Sequence, residues 1–146
     1  MDCYTSWCGP CKQLARTVFT DPDAANFFNE HFVNLKMDME KGEGINLKDR
    51  FGVKAYPTLL FINGQGEVVH SLVGAPGLKE LIEQAQIAFE GKGLAYADAE
   101  YQKGNRDPEF IQAYLTYLGN ASLSEKAGEV SLDYFATLDK NNLKER

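Results

Sequence analysis

An α/β fold followed by an all-α tail is what this chain predicts, and three observations carry it. Short apolar runs of strand type alternate with stretches whose apolar residues recur every three or four positions, the pattern of a sheet covered by helices. Helix starts are marked by Asp21-Pro22 and Asp107-Pro108, each an N-capping carboxylate followed by a proline at the first helical position. After Gly91-Lys92-Gly93 no strand pattern recurs. The expected division is an α/β unit over 1–91 and a helical C-terminal extension over 94–146.

Taken in order, Asp2–Thr5 reads as the tail end of a strand. Cys8 to about Phe19 reads as a helix, with Leu14, Ala15, Val18 and Phe19 in one apolar stripe. Pro22 to about Glu30 follows as a second helix, burying Ala24, Ala25, Phe27 and Phe28. Phe32–Asp38 alternates towards a strand, and Ile45–Phe51 is a short helix closed by Gly52. Tyr56–Ile62 is apolar enough for a buried strand. It turns at Asn63-Gly64-Gln65-Gly66 and pairs back through Glu67–Val73. Gly74-Ala75-Pro76-Gly77 breaks the chain, and Leu78–Phe89 is amphipathic. In the extension Leu94–Gln102, Pro108–Leu118 and Leu123–Leu138 read as helices. Their aromatics, among them Tyr114 and Tyr117, suit helix-on-helix packing, and their spacing hints at a helix-pair repeat without amounting to an array.

Composition removes several function classes. With 21 acidic against 15 basic residues the formal charge is −6, which disfavours nucleic acid and anionic membrane surfaces as partners. No apolar run is long enough to span a bilayer, and Met1-Asp2-Cys3 does not begin a secretory signal. Three cysteines are too few for a disulfide scaffold. Zinc at Cys8 and Cys11 is disfavoured as well, because His31 and His70 stand far from both, so no metal site is expected. The histidines are read as surface or strand residues, and Cys3 as a small buried hydrophobe.

The chemistry is concentrated in Trp7-Cys8-Gly9-Pro10-Cys11-Lys12. Two cysteines three apart on the first turn of a helix suit reversible disulfide exchange, because the helix N-terminus stabilises a thiolate with free N–H groups and a partial positive charge. The thiolate attacks a disulfide, and the neighbouring sulfur resolves the mixed disulfide. Cys8, at the helix start and expected to be the more exposed, is the attacking sulfur; Cys11, one turn in, is the resolving one.

That hexapeptide resembles the active-site motif of the thioredoxin-like family residue for residue. Tyr56-Pro57-Thr58-Leu59-Leu60-Phe61 resembles the family's cis-proline segment, Val73-Gly74 its hairpin end beside the substrate groove, and Asp2 its buried acid. Together these cover about residues 2–90. The stretch Val18–Asp23 with Phe32–Asp38 is similar to a subgroup with a broken first helix. That subgroup includes the C-terminal domain of transmembrane thiol-electron transporters and many extracytoplasmic proteins.

The resemblance implies a thioredoxin-like fold acting on protein disulfides, with Cys8, Cys11 and Asp2 as the catalytic set. Asp2 would take the proton from Cys11, and Trp7, Gly9, Pro10, Tyr56, Pro57 and Gly74 would form the substrate groove. No cofactor is needed beyond the Cys8–Cys11 disulfide, recharged by an upstream thiol reductant or a membrane electron donor. The uncharged Gly-Pro spacer favours reduction or isomerisation over net oxidation. A rival from another class is a redox-inactive interaction module whose helical extension binds a partner.

Two departures from the family stand out. Only Asp2–Thr5 represents the central strand, so the unit reads as N-terminally truncated, with apolar faces and unpaired backbone expected beside it. Asn34 stands where the family carries a lysine beside the buried acid. The subgroup favours a periplasmic or extracytoplasmic setting if a signal segment lies upstream, and a cytoplasmic one otherwise.

Overall fold

The structure is a computed structural model that describes the backbone of residues 1–144 and the side chains of residues 1–138. Its elements run β1 (Asp2–Tyr4), α1 (Gly9–Thr17), α2 (Pro22–His31), β2 (Lys36–Asp38), α3 (Glu43–Phe51), β3 (Thr58–Ile62), β4 (Val68–Val73) and α4 (Leu78–Phe89). The extension adds α5 (Leu94–Gln102), α6 (Pro108–Asn120) and α7 (Ser124–Lys144). The strands form a mixed sheet in the order β2-β1-β3-β4, with β1 parallel to β2 and antiparallel to β3, and β4 antiparallel to β3.

Alternation along β3 sends its side chains to opposite faces. Leu59 and Phe61 join Leu14, Val18, Leu72 and Leu81 beneath α1 and α4. Leu60 turns the other way, onto Cys3, Met39 and Val53. A further cluster of Ala97, Ile111, Tyr114, Leu118 and Val130 unites α5, α6 and α7. Asp21 and Asp107 cap α2 and α6 as expected, each accepting backbone N–H bonds ahead of a proline.

Two boundaries depart furthest from the sequence reading. The strand expected over 32–38 is confined to Lys36–Asp38, the three residues that stand in register with the three of β1. Upstream of them Val33 is left 98% exposed, while Phe32 folds back onto Phe61 and Phe89. The last helix starts at Ser124 and continues past the expected Leu138.

Short as it is, β1 occupies the centre of the sheet. The Asp2 N–H donates to the Leu35 carbonyl at 2.8 Å, and the Leu60 N–H donates to the Met1 carbonyl at 2.9 Å. The Met1 ammonium in turn donates to the Leu60 carbonyl at 2.6 Å. A cavity of about 310 Å³ opens beside the start of β1, walled by Phe19, Phe28, Leu35, Leu60, Phe61 and Leu81.

The extension is joined to the sheet through His70, which is a strand residue of β4, the second of its two expected settings, and is fully buried. Its Nδ1 accepts the Leu94 N–H at 3.0 Å, so the proton sits on Nε2, which donates to Gln84 Oε1 at 2.8 Å. Burial lowers its pKa, an effect the Gln84 bond partly offsets. Tyr117 of α6 is the titratable group packed edge-on against the ring at 5.2 Å, and Lys92 is the cation acting on Tyr117.

A histidine whose folded pKa lies below its unfolded value of about 6.5 favours the native state fully above that pH. Its contribution is lost as the pH falls from there towards the folded pKa. The denaturation midpoint should therefore drop between pH 7 and pH 5.5. In His70→Asn, whose side-chain oxygen can still accept from Leu94, urea titrations should show that part of the slope gone.

Candidate active site

β1 leads through Thr5, Ser6 and Trp7 into Cys8, the N-cap of α1, with extended backbone at φ −71°, ψ 110°. Its Sγ accepts the Cys11 N–H at 3.1 Å, so this sulfur takes one of the N–H groups that a helix start leaves without a partner. Pro10 sits in the first turn, where its missing N–H is harmless. The two cysteines are joined as a disulfide with a Cα–Cα separation of 5.3 Å.

Exposure does not rank the sulfurs as the sequence reading expected. Cys8 is 2% and Cys11 5% exposed, because the residues around them cover both partners of the closed disulfide. What separates them is position, since only Cys8 receives a helix N–H on its sulfur.

Around the disulfide, Gly9 and Pro10 are exposed. Trp7 is 65% exposed, which excludes a core role; its Nε1–H donates to Glu40 Oε2 at 3.0 Å and its ring meets Tyr56 edge-on. The Tyr56–Pro57 peptide bond is cis. The Pro57 carbonyl accepts the Gly74 N–H at 2.8 Å where β3 begins and β4 ends, so Trp7, Tyr56, Pro57 and Gly74 form one connected rim.

Asp2 is 8% exposed, buried as the resemblance implied. Its Oδ1 has no hydrogen-bond partner among the described residues. Burial pushes its pKa up, opposed by Lys36 and by the chain's amino group. The cation set against this acid is thus Lys36, which the parallel register places opposite Asp2. Asn34 instead donates to the Phe28 carbonyl and Asn29 Oδ1. Sequence reasoning missed Lys36 and Glu40; for Lys36 the strand register was the usable signal. Cys3 is fully buried, and its thiol is pushed up to about 12 by that burial, so it stays protonated and unreactive.

The family model described as Thioredoxin matches residues 1–86, more than half of the chain. The chain belongs to the thioredoxin family. Among relatives of this thioredoxin-family chain, Thioredoxin-1 of Drosophila melanogaster is 36% identical over 75 residues, covering 51% of this chain and 64% of that protein. The thiol:disulfide interchange protein DsbD of Haemophilus influenzae is 32% identical over 71 residues, 47% of this chain and 12% of that one. Of the two, then, the chain spans less than two thirds of the first and a small part of the second.

Two solved structures share the thioredoxin fold. The solution structure of a proposed disulphide-isomerase from Bacteroides thetaiotaomicron is 59% identical with a TM-score of 0.56, covering 63% of this chain and 76% of that one. A thioredoxin from Thermus thermophilus is 26% identical with a TM-score of 0.55, covering 62% and 72%. The thioredoxin match ends within α4, so α5, α6 and α7 lie outside it. Among the described residues no helix is long and apolar enough to cross a membrane.

Proposed function

We propose that this protein is a thiol–disulfide oxidoreductase acting on polypeptide disulfides, as a reductase or isomerase rather than a net oxidant. The observation that carries the reading is the Cys8–Cys11 disulfide at the start of α1, with the Cys8 sulfur already on a helix N–H. That bond strengthens when the acceptor becomes a thiolate, which lowers the cost of ionising Cys8.

In the reduced protein the Cys8 thiolate attacks one sulfur of the substrate disulfide. The substrate S–S bond breaks and its other sulfur leaves as a thiolate, which takes up a proton. Cys11 then loses its proton and attacks Cys8 Sγ, forming the Cys8–Cys11 disulfide and releasing the second substrate sulfur. Two electrons pass from the protein dithiol to the substrate disulfide. Asp2, a buried carboxylate whose pKa burial raises, is the acceptor we assign to Cys11. Trp7, Gly9, Pro10, Tyr56, Pro57 and Gly74 present the groove in which an extended substrate segment lies. An upstream thiol reductant or a membrane electron donor would restore the dithiol.

The test is the equilibrium reduction potential of Cys8–Cys11 against glutathione. Gly-Pro brings no charge to the spacer, so a value near about −270 mV is expected; one near about −120 mV would place the protein among oxidants and overturn the assigned direction.

Asp2 gives a second check. A folded pKa above the unfolded 3.8 means that stability is lost as the pH rises from that value through the folded pKa. Asp2→Asn should therefore raise the urea midpoint at pH 7. It should also slow the second step by about tenfold at pH 7, at or below the low end for a lost general base, with the deficit shrinking at pH 9 as hydroxide substitutes. A variant slowed equally at both pH values would remove Asp2 from the proton path.

A further inference from the structure

We infer that the helical extension completes the substrate groove, supplying one wall of a subsite for a basic side chain next to the substrate cysteine. This rests on the exchange reading given above. A pocket of about 120 Å³ lies between the Val73–Pro76 loop, Glu80 on the first turn of α4 and Asn120 at the end of α6. It takes a single side chain; small-molecule sites are usually at least about 300 Å³.

Its place relative to the disulfide follows from the rim. Gly74 lines the pocket, and its N–H is bonded to the carbonyl of Pro57. Tyr56, before Pro57, meets Trp7, the residue before Cys8. A segment lying along Tyr56 and Gly74 therefore runs past the sulfurs and delivers a neighbouring side chain to this pocket.

The two walls differ in origin. The loop and Glu80 belong to the family's own fold, whereas Asn120 comes from α6, beyond the family match. Asn120 is held in place because its helix is fixed to the body: Leu118 and Tyr114 are fully buried, and Tyr117 packs on His70.

The chemistry of the occupant is set by charge. Glu80 is exposed, makes no salt bridge among the described residues and stands in the first turn of α4. Trp7 on the rim is bonded to a second carboxylate, Glu40. With a formal charge of −6 on the whole chain, an approaching polypeptide meets a negative field and a single-residue pocket lined in part by a carboxylate. Lysine or arginine fits both.

Two synthetic peptides with the same internal disulfide, differing only in Lys or Glu beside the attacked cysteine, test this by their rates of reduction. The reduced wild-type protein should favour the Lys peptide by about threefold, the scale of one exposed charge pair. Glu80→Lys should reverse that preference, and Asn120→Trp, which fills the pocket, should bring the ratio to about one. An unchanged Lys-to-Glu ratio in Glu80→Lys, or in Asn120→Trp, overturns the subsite. Reduction of a small aromatic disulfide by the wild-type protein separates the two levels. If that fails, the exchange reading itself falls; if it proceeds while both peptides react alike, only the subsite does.

Discussion

Cys8→Ser should abolish disulfide exchange, by more than about a thousandfold, as removal of other covalent nucleophiles does. A serine hydroxyl at the same N-cap could still accept the Cys11 N–H, so the helix start should survive and the fold with it. Cys11→Ser leaves Cys8 able to attack but removes the sulfur that releases the product. It should trap one equivalent of mixed disulfide, visible as a mass increase of the substrate thiol and reversed by dithiothreitol. The reverse outcome, trapping in Cys8→Ser and silence in Cys11→Ser, would exchange the two roles. Burial cannot decide between them, since both sulfurs are covered in the disulfide form.

The second large effect concerns Gly93, at the start of α5. A Cβ there would lie 2.8 Å from His70 Cβ and 2.8 Å from the Val69 carbonyl oxygen. Neither neighbour can move aside alone: one is strand backbone, the other belongs to a buried ring bonded to Gln84 and Leu94. Gly93→Ala should cost about 3 kcal/mol through overpacking, lowering the Tm by roughly 10 °C in a chain of this size. Differential scanning calorimetry reads the shift, and a Tm within roughly 2 °C of wild type would show that the extension is docked more loosely than described. Exchange with a small disulfide at 25 °C should persist, because Gly93 touches none of the site residues.

Motifs and periodicity made most of the α/β unit legible. The hairpin of β3 and β4, the capped starts of α2 and α6 and the position of Cys8 at a helix N-cap all follow from local chemistry written in consecutive residues. Pairing was harder to read. Phe32–Asp38 alternates like a longer strand, yet a strand exists only where a neighbour runs alongside it, and β1 is in register with three residues. For the same reason Lys36 rather than Asn34 acts on Asp2, a matter of register that no single segment encodes. His70 escaped because a lone histidine carries no local mark of burial. Its partners Gln84 and Leu94 come from two other elements, and its environment exists only once the extension has docked.

That docking has a consequence for the protein's company in solution. β4 is the long edge strand of the sheet, and such an edge offers a row of backbone groups on which another chain can build. Here the Val69 carbonyl faces the start of α5, and α6 packs its Tyr117 onto His70 of the same strand. The opposite edge, β2, is three residues long and carries Lys36. A short, charged edge on one side and a helix-covered one on the other leave little template for aggregation, so the extension guards the sheet against its own copies.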